Sequence, residues 1–284
     1  MEAQDRVEAG EAGPVSRRDR WVGVCLCESG VWLCLHSPIH TAPSRALASV
    51  VPSLERTGGL CARAGGGGVR PGPEALRTAV PGLAVDDAHV LVIRRGVQFV
   101  LHGSAEGDTS RVMQENRALQ QDTKALMRGR VVNKRARYNL CFADFDQEPD
   151  YTVGKGRVVS YARVPCVSLV RDAIRAWCGY LLNGEGNYYY DHRKCGIGYH
   201  GDSERRKVFA IRMGHPMPLC FQWFHRSEPV GPRIQLDLDD GDMYVMCEKS
   251  VGTDWKRRSI PTLRHATGAD KYTTLPPASV DNTQ

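Results

Sequence analysis

The chain has 284 residues, of which 42% are apolar and 25% charged, with a formal net charge of +6. These values exclude a wholly disordered or fibrous chain and allow one ordinary domain with an extension, or two small domains. No run approaches the ~20 apolar residues of a membrane span, and the opening MEAQDRVEAGEAGPVSRRDRW carries acidic residues where a secretory signal has a basic start and an apolar stretch, so an intracellular, non-secreted protein with no membrane partner is expected.

In chain order, residues 1–82 read as an irregular, partly disordered extension. The tetraglycine Gly65 to Gly68 and the prolines Pro71 and Pro73 interrupt regular structure, and the apolar runs around Trp21 to Leu35 are brief. Residues 83–137 form a small αβ region. In it, Ala88 to His102 reads as two short strands around Arg95-Gly96, a hairpin, and Ser110 to Arg128 as a helix. Between Lys124 and Arg137 there are six Lys or Arg and no acidic residue. Such a stretch either binds phosphates by releasing counterions or is simply a solvated basic face.

From residue 138 to 284 the texture changes. The runs RVVSYARV, NYYYD, KVFAIRMG, LCFQWFH, RIQLDL and DMYVMCE alternate with Gly, Pro, Asp and Asn, the pattern of a sandwich or jelly roll. One helix is predicted among them, Val167 to Leu182, with Leu169, Ala173, Ile174, Trp177 and Leu181 on one face against the sheet. Phe209, Phe221 and Trp223 read as core residues, and Asp237, Asp239, Asp240 and Asp242 as a solvated turn, because the spacing and terminal Glu of a calcium loop are missing. The ten cysteines include one close pair, Cys25 and Cys27, and no second pair to complete a zinc site. They read as free thiols in a reducing compartment.

A metal that activates oxygen needs ligands on one side only, and two His with one carboxylate supply such a facial set. Residues i and i+2 of a strand point to the same side, so His200-Gly201-Asp202 offers two ligands at once. Downstream of His225 the chain has a single histidine, His265, which makes it the third candidate. His192, His215 and His225 read as surface or strand-end residues.

The segment NYYYDHRKCGIGYHGDSERRKVFAIRMG resembles the stretch of AlkB-like dioxygenases that leads through Ile-Gly-x-His-x-Asp-x-Glu-Arg into a strand ending in Gly. LCFQWF and DDGDMYVM are similar to the next two strands of that family, and RYNLCF, KCGIG-HGD and TLRH-A-G are closest to its members in large DNA viruses. The resemblance covers roughly residues 138 to 273. It implies a mainly β, α+β fold: a double-stranded β-helix, or jelly roll, with a flanking helix. It further implies iron(II) as the metal, held by His200, Asp202 and His265, with 2-oxoglutarate and dioxygen as cosubstrates.

On the same resemblance Tyr190, ten residues before His200, and Tyr188 stand where the family contacts 2-oxoglutarate, and Glu204 stands where it reads the target base. Two departures accompany the match. The interval from Gly241 to His265 is longer than usual in the family and contains Trp255-Lys256-Arg257-Arg258. The arginine that clamps the far carboxylate of 2-oxoglutarate, by a fork suited to bidentate pairing, has no counterpart after His265, where Lys271 is the only Lys or Arg. Lys271 is the preferred clamp, and Arg258 with Arg264 an alternative on a second alignment.

The function expected is therefore oxidative demethylation of alkylated bases in DNA or RNA. Arg205 and Arg206 beside the metal pair, and Lys134 and Arg135 in the basic segment, would hold the nucleic-acid backbone. The alternatives are hydroxylation of a protein or small molecule, and a nucleic-acid-binding or virion-associated module that keeps the fold without turnover. Production of succinate separates the two enzymes from the module.

Overall fold

The computed structural model describes residues 31–36, 67–69, 86, 88–101, 109–179 and 182–275. Its first strands are β1 (Val31–His36), β2 (Gly67–Val69) and β3 (Val90–Ile93), followed by helices α1 (Gly96–Leu101) and α2 (Thr109–Arg117). A small hairpin, β4 (Lys124–Met127) with β5 (Arg130–Asn133), precedes β6 (Tyr138–Ala143), β7 (Val158–Ser160) and helix α3 (Pro165–Cys178). Six strands complete the pattern: β8 (Asn183–Tyr188), β9 (Gly196–His200), β10 (Val208–Met213), β11 (Met217–His225), β12 (Glu228–Leu238) and β13 (Met243–Met246). After them come the short helix α4 (Glu248–Val251), strand β14 (Thr262–Gly268) and a last turn of helix, α5 (Asp270–Thr273).

The fold is mainly β. An eight-stranded sheet runs β2-β3-β13-β10-β1-β8-β6-β7, and a four-stranded sheet runs β12-β11-β14-β9. All pairings are antiparallel except β6 with β7. Strand alternation divides the core. Val208 and Ala210 of β10, with Val90, Val92, Tyr244 and Met246, meet Leu219, Phe221, Trp223 and Leu263 of the small sheet. Phe209, Ile211 and Met213 point the other way, onto Val167, Val170 and Ile174 of α3. β10 is thus buried on both faces, which accounts for its apolar run Val208 to Ile211; the buried Arg212 is its one charged residue.

Several elements differ from the sequence reading. Val97, Phe99 and Leu101 alternate as a strand would, yet only Val97 and Leu101 are buried. That i, i+4 spacing is helical, and α1 replaces the second strand of the expected hairpin. Arg95 turns the chain with φ 54°, and Gly96 lies so close to Met243 that an added Cβ would stand 2.7 Å from its Cγ. The helix expected over Ser110 to Arg128 stops at Arg117. The residues after it form β4 and β5 around Arg128-Gly129, both at positive φ, 50° and 77°, as a two-residue hairpin turn of matching twist requires.

α3 begins at Pro165 and ends at Gly179, whose φ of 75° suits a glycine stop. Its buried stripe is Val167, Val170, Arg171, Ile174 and Cys178; of the predicted face, Ile174 is buried and Trp177 packs against the core, Leu169 is exposed, and Leu181 lies outside the described residues. Both carboxylate oxygens of Glu115 cap this helix, accepting from the Cys166 and Val167 backbone N–H groups at 2.9 and 3.0 Å. Asp242 is buried rather than solvated, accepting from Arg94 at 2.5 Å and from the Arg95 N–H at 3.0 Å. Within the region read as irregular, β1 pairs with β10 over Val31↔Met213 to Leu35↔Phe209, and Gly67 and Gly68 pair with Val92 and Leu91. The rest of residues 1–82 lies outside the described residues. No helix among the described residues is long and apolar enough to cross a membrane.

Candidate metal centre

β9 and β14 are neighbours in the small sheet, and His200 is the cross-strand partner of His265. Residues directly opposite in an antiparallel pair project from the same face. The two imidazoles therefore meet, with ring centroids 4.4 Å apart and planes inclined by 54°. Asp202, two residues beyond His200, keeps to that side. Its Oδ1 lies 3.7 Å from His200 Nε2 and its Oδ2 3.8 Å from His265 Nε2. One ligand atom from each residue falls within 4.8 Å of the others. These separations are too long for mutual hydrogen bonds and short enough for three donors around one ion. Among the described residues this is the one such group of three or more His, Cys, Asp or Glu.

Protonation favours the same role. His200 Nδ1 sits 2.8 Å from the Gly198 carbonyl, which calls for N–H at that nitrogen and leaves the Nε2 lone pair facing Asp202. Burial lowers the pKa of His200, and the charges of Arg137 and Arg205 act in the same direction against Asp202. Burial, then the neighbouring His200, lowers His265 to about 3. Its Nδ1 makes no hydrogen bond of ordinary geometry, although the Ser250 carbonyl on that side favours the proton. Burial alone would raise the Asp202 carboxyl, but the charge of Arg205 and its hydrogen bond to the carboxylate help to hold it below the usual range. At neutral pH the site therefore presents two neutral imidazoles and a carboxylate, the forms that bind a metal.

The long interval between β13 and β14 has a structural use. After α4, Gly252 turns with φ 74° and packs against Gly201. Trp255 Nε1 donates to Ser203 Oγ at 3.1 Å, and Thr253 Oγ1 donates to the Arg205 carbonyl at 2.6 Å. The Asp202 N–H donates to the Val251 carbonyl at 3.1 Å. Lys249 Nζ closes the segment on Asp254 and the Pro261 carbonyl, at 2.7 and 2.8 Å. The extra residues are a strap that fixes the turn bearing Asp202.

Arg205 reaches Asp202 Oδ2 at 2.9 Å with one nitrogen and Glu185 at 3.2 Å with another. Asn139 donates to Glu185 at 3.4 Å and accepts from Lys134, while Arg137 donates to Asn187. Arg205 and Lys134 are thus joined in one polar chain leading away from the triad. Glu185, Asn187, Asn139 and Arg137 were missed in the sequence. A signal existed in Asn183-Gly-Glu185-Gly-Asn187, whose polar residues recur with period two between glycines and so share one face of β8.

The other nominated residues are placed variously. Tyr188 packs on the α3 side of the large sheet, and its neighbours Glu185 and Asn187 take the polar side instead. Tyr190 donates to the Arg135 carbonyl at 2.8 Å and stacks on Tyr138 at 4.7 Å. Arg264 projects from the face of β14 opposite His265, its guanidinium 4.0 Å from the Phe224 ring centroid and 5.4 Å from that of Trp255. Arg258 is exposed beside the Arg226 carbonyl, and Lys271 is exposed over the Tyr272 ring. The cations whose charge reaches His200 are Arg137 and Arg205. Glu204 is half-buried, two residues after Asp202 in the chain, and Arg206 is exposed, 4.0 Å from Glu248. His192 and His215 stack on each other at 4.0 Å, away from the triad group.

No family model matches the chain. Over 186 residues it is 50% identical to the uncharacterized protein R156 of Acanthamoeba polyphaga mimivirus, an alignment that covers 65% of this chain and 71% of that protein.

Proposed function

The chain belongs to the family of that mimivirus protein, and from its converging His200, Asp202 and His265 we propose that it is an iron(II)- and 2-oxoglutarate-dependent dioxygenase of the AlkB-like kind, acting on alkylated bases of nucleic acid. In this reading the two sheets are the walls of a double-stranded β-helix, with the ligands carried by adjacent strands of the smaller wall. The donor set suits iron(II): two neutral nitrogens and one carboxylate gathered on one side, the arrangement that leaves positions open on the other. Iron and 2-oxoglutarate together supply oxidising power, dioxygen being consumed as 2-oxoglutarate becomes succinate and carbon dioxide and a substrate C–H bond is hydroxylated; an N-methyl group so treated leaves as formaldehyde.

The chain's own residues have narrower tasks, since the difficult chemistry belongs to the cofactor. Gly198 fixes the ring of His200 through its carbonyl, and Arg205 fixes Asp202, the kind of outer support that keeps ligands oriented. Burial of His265 keeps a proton from competing for its lone pair. Arg137, held by Asn187 rather than by a carboxylate, is the guanidinium offered to an anion at this end of the site. Glu204, half-buried and two residues after Asp202, would offer an acceptor to the amino edge of a base.

One observation favours a second reading, a module that binds nucleic acid without turnover: Arg264 packs on Phe224 from the face of β14 opposite His265, while Lys271 and Arg258 are exposed, over the Tyr272 ring and beside the Arg226 carbonyl. Purified protein with iron(II), 2-oxoglutarate and methylated oligonucleotides decides between them. The proposal expects succinate and formaldehyde in equal amounts, both lost when iron or 2-oxoglutarate is omitted. Succinate without formaldehyde moves the substrate to another class, and neither product leaves the module.

A further inference from the structure

β12 ends one side of the small sheet, and among the described residues it has a strand on one flank only, β11. It is also long, 11 residues from Glu228 to Leu238. An edge of that length presents a row of N–H and C=O groups outside the ladder, which proteins ordinarily blunt with proline, lysine or a bulge. The first half of β12 has such protection. Pro229 and Pro232 lie in it, Gly231 turns with φ 69°, and the register against β11 shifts between Phe221 and Trp223. Gln222 spans this irregularity, donating to the Val230 and Gly231 carbonyls at 2.8 and 3.0 Å.

Residues 234–238 are different. They pair with β11 in regular register, from Ile234↔Phe221 to Leu238↔Met217, and contain no proline, lysine or glycine. Ile234 and Leu236 pack against the core between the two sheets yet are only partly buried, so that core is open along this edge. Asp237 faces Pro218, which has no N–H to give, and the Asp237 carbonyl accepts instead from Arg94 at 2.8 Å. Backbone groups two residues apart on a strand point the same way, so those of Gln235 are also directed away from β11. A strand added beside β12 would extend the ladder there and cover both apolar side chains.

Charge chooses that strand. The segment from Arg233 to Asp239 reads RIQLDLD, basic at its start and acidic at its end. Gln235 and Asp237 share the outer face of the sheet, Gln235 Nε2 donating to Asp237 at 2.9 Å. Arg233 lies on that face too, reaching the Thr273 carbonyl at 3.1 Å, which the Tyr199 hydroxyl also bonds. Laid antiparallel on a second copy, with Gln235 opposite Gln235, the segment matches itself: Arg233 of each copy meets Asp237 of the other, and Ile234 meets Leu236. Opposite charges and apolar side chains directly across such a pair both stabilise it. Parallel pairing would set Asp237 beside Asp237 and would not close on a two-fold axis.

We propose that β12 is a homodimerisation edge, through which two copies of the chain join residues 233–237 antiparallel about a two-fold axis at Gln235. The two small sheets then become one, ordered β9-β14-β11-β12-β12-β11-β14-β9. β12 and β11 stand between the seam and each pair of metal-bearing strands, so pairing requires neither metal nor substrate.

Sedimentation of the full chain without metal, over a concentration series, tests the dimer. Wild-type protein should pass from one chain to two and no further. Arg233→Glu and Asp237→Arg each set like charges across both symmetry-related pairs, and each should weaken association at least about tenfold. The double variant restores opposite charges and should recover dimerisation, as a coupled pair requires. Gln235→Lys leaves both charges in place and sets two ammonium groups against each other on the axis; it should give single chains. Arg226→Glu, exposed in the turn before β12, should dimerise as the wild type does, and thermal melting checks that each variant is folded. A wild-type chain that stays single at every concentration overturns the proposal. So do growth beyond two chains, a dimer that survives Gln235→Lys, and a charge swap that fails to restore association.

Discussion

Asp202→Asn and His265→Gln proteins are expected to bind manganese(II), a stable stand-in for iron(II), at least about 100-fold more weakly than the wild type, since removing a ligand should exceed the 10- to 100-fold typical of outer-sphere changes. The argument is geometric and electrostatic at once. The three donor atoms lie within 4.8 Å of one another, and burial has already removed the protons that would compete for the imidazoles. Asn keeps the volume of Asp202 and an oxygen for Arg205, so loss of binding there reports the ligand charge rather than a collapsed site. Arg205→Ala should cost less, about tenfold, because it loosens the carboxylate without removing it. His225→Ala, at a strand end outside the group, should bind as the wild type does. Calorimetric titration with manganese(II) measures all four, and equal affinities across the set would dissolve the triad.

The second large effect belongs to a residue without a side chain. A Cβ on Gly201 would stand 2.7 Å from Trp255 Cβ and 2.8 Å from its Cγ, and would collide with the Gly252 carbonyl. Backbone cannot yield as a flexible side chain does, so either the strap lifts or the end of β9 shifts. Each movement strains the hydrogen bond that seats Asp202 on Val251. Gly201→Ala should therefore destabilise the protein by roughly 3 kcal/mol, at the upper end for overpacking, and weaken metal binding together with stability. Gly198→Ala is the control, because the nearest atom to its added Cβ is the Tyr272 carbonyl oxygen at 4.0 Å. It should change stability by no more than about 0.5 kcal/mol. Chemical denaturation of the two variants checks the contrast, and similar midpoints would mean that the strap is not seated as described.

What the sequence made legible follows from the range of each interaction. His200 and Asp202 were readable because two positions along a strand share a face whatever the tertiary structure, and His265 because the chain offered no other histidine downstream of His225. The strands from β10 to β13 were readable because short apolar runs bounded by turn residues are local signals. Val97 to Leu101 was not, since three apolar residues at alternate positions satisfy a strand, while the helix uses only the first and last of them. Arg128-Gly129 was overlooked as a turn because Leu126 and Met127 suit a helix. The pairing of β1 with β10 joins residues 174 to 182 positions apart in the chain, and nothing near Val31 announces it. Of the cations offered by order along the chain, Lys271, Arg258 and Arg264, strand geometry places one. Arg264 follows the alternation of β14, which turns it from the very face that His265 occupies.

The most direct measurement is an anaerobic titration of 2-oxoglutarate into protein loaded with iron(II). Chelation of the keto acid by a ferrous ion in this site predicts a visible charge-transfer absorption that saturates with one 2-oxoglutarate per chain and is missing from Asp202→Asn. A folded wild-type protein that carries one iron and develops no such absorption would contradict the account.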